Sequence, residues 1–141
     1  MARVIDWYFD YISPFAYIQL EAGLARLPAD VELRYRPVLL GALLSHWGTK
    51  GPAEVPAHRQ FTYRLVQWLS EQHQLKMCMP PAHPFNPLPA LRLTLALDSR
   101  PEVVLAIFRH LWREGRSASQ LEELREVAAQ FGIAHEQLDS M

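Results

Sequence analysis

The sequence predicts an α/β fold in which one βαβ unit is followed by a run of helices. Two observations carry this. Near the start, two short segments rich in β-branched and aromatic residues flank a helical segment, with short joints between them. Beyond about residue 40, no further segment alternates as a strand does, and four helical segments fill the chain.

Residues 3–9 hold Val4, Ile5, Trp7 and Phe9 in loose alternation and read as a strand buried on both faces. Residues 14–27 read as a helix. Phe15, Ile18, Leu20, Ala22, Leu24 and Leu27 give it a broad apolar side, and Pro28 stops it. Val31, Leu33 and Tyr35 alternate strictly, which marks the second strand. A strand, a helix and a strand with short joints imply parallel pairing and a right-handed crossover.

Leu39 to Leu44 reads as a short helical turn or a buried connection, and Gly48 to Pro56 as a loop. Residues 57–73 form a helix with Phe61, Leu65, Trp68 and Leu69 on one stripe. Residues 77–86 are proline-rich and irregular. Asn86 and Pro87 look like the N-cap and first position of a helix reaching about Leu97. Ser99 with Glu102 makes a capping box, with Pro101 in the first turn. That helix should bury Val103, Val104, Ile107, Phe108, Leu111 and Trp112. Ser117 with Gln120 makes another box, opening a helix that buries Leu121, Leu124, Ala128 and Phe131 and ends at Gly132. His135 to Met141 leaves room to begin one more.

The 141 residues, half of them hydrophobic and 21% charged, suffice for one globular core. A net charge of −1 argues against a nucleic-acid surface, and no apolar run approaches a membrane span. Asp6 and Asp10 do not suit a secretory leader, so a cytoplasmic location is expected. The one cysteine, Cys78, excludes an internal disulfide and reads as an apolar filler between Met77 and Met79. His46, His58, His73, His83, His110 and His135 show no metal-ligand spacing and read as surface or capping residues; no metal is expected. Gly48-Thr49-Lys50-Gly51 lacks the strand and helix that a phosphate-cradling loop requires.

The most informative position is Ser13, where the first strand hands over to a helix opened by Pro14. A helix start offers unpaired N–H groups and partial positive charge, which favour an anion such as a thiolate. On the residues alone, an ordinary N-cap and an anion-facing hydroxyl both stay open.

The run Asp6-Trp7-Tyr8-Phe9-Asp10-Tyr11-Ile12-Ser13-Pro14-Phe15-Ala16-Tyr17 resembles the N-terminus of 2-hydroxychromene-2-carboxylate isomerases. These group with kappa-class glutathione transferases in the DsbA-like thioredoxin superfamily. Arg36-Pro37-Val38-Leu39-Leu40-Gly41, Gly51-Pro52-Ala53-Glu54 and His83-Pro84-Phe85-Asn86-Pro87-Leu88 fit the same family in the same order. The resemblance covers essentially the whole chain. It implies a thioredoxin-like βαβ part over residues 1–40 and an all-helical insertion domain over 41–141. It also implies that the C-terminal ββα part of the thioredoxin fold, entered by a Val-Pro strand, is missing from this sequence. Val55-Pro56 lies in the wrong loop for it. A two-stranded sheet with open edges should seek partners, so a homodimer is expected.

In thioredoxin-like oxidoreductases this helix start carries Cys-x-x-Cys. Here Ser13-Pro14-Phe15-Ala16 stands there, and dithiol exchange is excluded. The resemblance implies glutathione as cofactor, bound at Ser13, Pro14 and Phe15, with the Ser13 hydroxyl on its sulfur. The implied activity is that of a glutathione-dependent isomerase or transferase: cis–trans isomerisation of an aromatic or unsaturated carbonyl compound by addition of the thiolate, rotation and elimination, or conjugation, which begins with the same thiolate. Glu54, Phe85 and Asn86 match positions that contact a small aromatic substrate, though Asn86 also reads as a plain N-cap. The family's substrate-binding lysine has no match, since Leu43 and Leu44 fall there. Tyr11, Trp47 and Phe85 read as an aromatic wall or as plain core. The alternative is an inactive domain that acts by self-association or partner binding.

Overall fold

The computed structural model describes residues 3–140. Strands β1 (Arg3–Phe9) and β2 (Val31–Pro37) pair in parallel, from Arg3 opposite Val31 to Phe9 opposite Pro37. The crossover begins as α1 (Pro14–Ile18), widens into a π turn at Gln19–Gly23 and closes as a 3-10 turn at Leu24–Arg26. The predicted βαβ unit is present, although its helix is not regular throughout.

β1 is covered on one face only, which corrects the expectation of two buried faces. Successive side chains point to opposite sides. Trp7 and Phe9 are buried, whereas Tyr8 is 65% exposed. The helices gather on the Trp7 side: its indole N–H donates to Gln19, and its ring lies 6.2 Å from that of Phe108.

Beyond β2 come α2 (Leu40–His46), a 3-10 turn at Pro52–Glu54, α3 (Pro56–Gln72), α4 (Leu88–Ala96) and α5 (Pro101–Phe108). A second π turn (Arg109–Arg113), a 3-10 turn (Leu121–Leu124), α6 (Arg125–Gln130) and α7 (His135–Asp139) follow. Arg109 on the second π turn donates twice to Glu21 on the first, at 2.6 and 2.9 Å. One apolar cluster joins Trp7, Phe9, Tyr11 and Tyr17 to Leu93, Ile107, Phe108, Leu111 and Trp112, so residues on both sides of residue 40 share a core.

Several local expectations change. The buried line of α3 is Val66 and Ser70, with Leu69 packed beside it; of the predicted stripe, Phe61 is 66% and Trp68 55% exposed. Apolar periodicity defines a helix face but not which neighbour that face meets. The Ser99–Glu102 box does not form, because the Ser99 N–H already closes α4 on the Thr94 carbonyl and Arg100 precedes Pro101 as the cap. The second box shifts by three residues: Glu123 accepts from the Gln120 N–H and from the Ser117 hydroxyl. Gly132 ends α6 with φ 82°, as expected. His110 is buried and pairs with the Ser117 carbonyl, so it is not a surface histidine. Cys78 is exposed rather than an apolar filler.

Gly115 packs against Cys78 and Met79 of the irregular segment. Its φ is +66°, and a Cβ there would sit 2.9 Å from Cys78 Cβ and from the Met79 carbonyl oxygen. Gly115→Ala should therefore cost roughly 1–3 kcal/mol, read as a lowered urea midpoint.

Candidate functional site

Ser13 sits in extended backbone (φ −91°, ψ 112°) as the N-cap of α1, and its Oγ accepts the Ala16 N–H at 3.3 Å. The capping reading is thus correct as local structure. The hydroxyl keeps its own hydrogen to donate, because capping uses it only as an acceptor. The Phe15 N–H lies in the first turn, where no intrahelical acceptor exists.

Backbone groups across this turn are gripped from several directions. The Trp112 indole N–H donates to the Tyr11 carbonyl at 2.8 Å. The Asp10 carboxylate accepts from the Ile12 N–H at 3.2 Å and from the Leu40 N–H at 2.7 Å, tying the turn to the start of α2. Burial pushes the Asp10 carboxyl up, while backbone N–H groups of Leu40, Ile12 and Tyr11 hold it down. His83 Nε2 lies 2.7 Å from the Ile12 carbonyl oxygen, and the other ring nitrogen pairs with the Tyr63 hydroxyl at 2.7 Å.

A cleft of about 370 Å³ opens at Ser13. Pro14, Phe15, Leu40, Leu44, Pro52 and Pro84 make its apolar walls, while Glu54, Thr62 and His83 supply polar edges. A second cleft of about 430 Å³, reaching Asp10, Ala16, Gln19 and Val38, shares Ser13, Phe15 and Leu40 with the first. Ser13 therefore stands where two cavities meet.

The structure brings Ser13, Pro14, Phe15 and Glu54 onto one cleft. Glu54 Oε1 accepts the Gly51 N–H at 2.7 Å, which caps its own 3-10 turn. Phe85 and Asn86 do not line this cleft. The Phe85 ring packs against His83 and Trp112, and Asn86 Oδ1 accepts the Leu88 N–H at the start of α4. The aromatic wall is not formed: Tyr11 is fully buried with its hydroxyl on Thr94, and Trp47 is 75% exposed. Sequence reasoning missed Asp10, Tyr63 and His83. The sequence marks His83 only as the first residue of the His83-Pro84-Phe85-Asn86 stretch, with nothing to pair it with Ile12.

Burial depresses the His83 ring below its ordinary 6.5; the Ile12 carbonyl opposes the shift and Arg59 adds to it. The unfolded chain thus binds the proton more readily than the folded one. Stability should fall as pH drops through 6.5 toward the folded value. Urea midpoints taken from about pH 7 to about pH 5.5 should decline more steeply in the wild type than in His83→Gln. Parallel slopes would contradict a buried neutral ring.

A parallel βαβ unit whose crossover helix opens on a capping residue at a cleft is the thioredoxin arrangement, here with a hydroxyl where a thiol can stand. The family model of the DSBA-like thioredoxin domain matches residues 4–141, and the chain belongs to that family. It is 28% identical over 116 residues to glutathione S-transferase kappa 1 of Caenorhabditis elegans, covering 77% of this chain and 51% of that protein. It is 27% identical over 139 residues to 2-hydroxychromene-2-carboxylate isomerase of Sphingobium xenophagum, covering 94% of this chain and 70% of that one. The chain thus spans about half the length of the kappa transferase. A solved selenomethionine structure of 2-hydroxychromene-2-carboxylate isomerase superposes with a TM-score of 0.78 at 19% identity, covering 98% of this chain and 70% of the other; it shows the shared fold. Among the described residues, no helix is long and apolar enough to cross a membrane, and no cluster of His, Cys, Asp and Glu is placed to hold a metal ion.

Proposed function

We propose that this domain acts in glutathione-dependent cis–trans isomerisation of a small aromatic or unsaturated carbonyl compound, with Ser13 as the residue that meets the sulfur. The observation that carries the reading is the Ser13 hydroxyl. It is fixed by the Ala16 N–H, retains its own hydrogen, and stands at the junction of two clefts. Two enzyme relatives support it, one named a kappa glutathione transferase and the other a 2-hydroxychromene-2-carboxylate isomerase.

The residues fit the sulfur end of glutathione: a hydroxyl donor and a first-turn N–H together suit an anion. When bound, glutathione supplies a thiolate that adds reversibly to a carbon–carbon double bond conjugated with a carbonyl. Ser13 donates its hydrogen to the anion, and the Phe15 N–H adds a second donor. Such donors act without reorganising, and they act more strongly where water is excluded. Phe15, Leu40, Leu44, Pro52 and Pro84 give the cleft apolar walls for a substrate to close against. Glu54, with Oε1 held by Gly51, offers Oε2 to a substrate hydroxyl. Phe85 acts from behind His83 and Asn86 by holding α4, rather than by touching substrate. Calorimetric titration with reduced glutathione should give saturable binding; no heat at millimolar glutathione would remove this reading.

A second reading has its own observation. The sheet has two strands, and β1 exposes Val4, Ile5 and Tyr8. An open strand pair seeks partners, which favours a homodimer or a binding role without catalysis. Light scattering that finds a monomer at all accessible concentrations would remove the homodimer.

A further inference from the structure

His83 clamps the Ser13 turn and also forms a wall of the first cleft. The other grips come from Asp10, within the turn itself, and from Trp112 in the core. A carbonyl oxygen only accepts, so the ring nitrogen 2.7 Å from the Ile12 oxygen is Nε2–H. In the neutral ring Nδ1 then accepts, and the Tyr63 hydroxyl, 2.7 Å away on α3, donates to it. Three separate parts of the chain thus meet in one line: α3 through Tyr63, the irregular segment through His83, and the β1–α1 turn through Ile12. Both ring nitrogens are engaged, so the ring is not poised to take a proton from a thiol.

We propose that Tyr63 and His83 are positioning residues for Ser13: Tyr63 selects the Nε2–H tautomer, and His83 holds the Ile12 carbonyl and so aims the Ser13 hydroxyl at a bound anion. This rests on the glutathione reading of Ser13 for its consequence, though not for its geometry. His83 acts through Ile12 and need not touch the ligand. A neutral pair of this kind orients a donor without placing a second charge beside the anion.

The test compares His83→Gln, His83→Asn and Tyr63→Phe. A glutamine carries its amide N–H close to where Nε2–H lies and can still donate to Ile12. An asparagine places its amide near Nδ1 and falls short. Two readouts are taken: hydrogen exchange of the Ala16 amide by NMR, and calorimetric affinity for reduced glutathione. His83→Asn should lose protection at Ala16 and about tenfold in affinity, while His83→Gln stays within about twofold of wild type on both. Tyr63→Phe should fall between them. Equal losses in the glutamine and asparagine variants, or none in either, overturn the proposal. If wild type binds no glutathione but the glutamine–asparagine split persists at Ala16, positioning stands and the glutathione reading falls. If wild type binds and the split is absent from both readouts, positioning alone falls.

Discussion

Ser13→Ala is expected to weaken glutathione binding at least about tenfold and to lower isomerase turnover on the order of a hundredfold, the range seen when one preorganised anion donor is removed. The substitution removes two things together. It deletes the O–H that meets the anion, and it deletes the Oγ that caps the Ala16 N–H. The cap alone is worth about 1 kcal/mol of stability. Ser13→Asp separates the two effects. Aspartate caps a helix as well as serine does, so the thermal midpoint should stay near wild type. Its negative charge then stands where the sulfur should lie, and glutathione binding should vanish. Calorimetry and thermal denaturation on both variants check the pair. Retained binding in Ser13→Asp would mean that the ligand sulfur lies elsewhere.

Trp112→Ala should cost roughly 3–5 kcal/mol, a large share of the total stability of a domain this size. The side chain is fully buried, and its ring packs near His83 and Phe85. Its indole N–H satisfies the Tyr11 carbonyl, so truncation leaves a cavity and a buried carbonyl without its partner. Trp112→Phe keeps most of the volume and loses only the N–H, so it should cost clearly less. Urea denaturation of both variants reads the difference. A loss below about 1 kcal/mol for the alanine variant is incompatible with this packing. Because Trp112 holds the residue next to Ile12, the phenylalanine variant should also loosen the Ser13 turn.

Much of the secondary structure was legible. Both strands follow from the aromatic and β-branched content of residues 3–9 and the alternation at Val31, Leu33 and Tyr35. The buried face of α5 was legible too, since Val103, Val104, Ile107 and Phe108 recur at helical spacing and all are fully buried. The stripe on α3 misled because Phe61 and Trp68 obey the same spacing without facing the core. The box at Ser99 misled because a serine between two helices can serve the end of the first as readily as the start of the second.

What the sequence by itself determined is local or inherited. The βαβ order and the capping of α1 by Ser13 before Pro14 lie in short contiguous runs, and membership of the DSBA-like family lies in the order of such runs along residues 4–141. What only the tertiary structure decided is how that serine is held. His83 reaches Ile12 across 71 positions, Asp10 reaches Leu40 across 30, and Trp112 reaches Tyr11 across 101. Local propensity and periodicity act over one or two turns, so they place a hydroxyl at a helix start. Contacts at those separations depend on how the helices pack over the sheet, and that packing is what aims the hydroxyl.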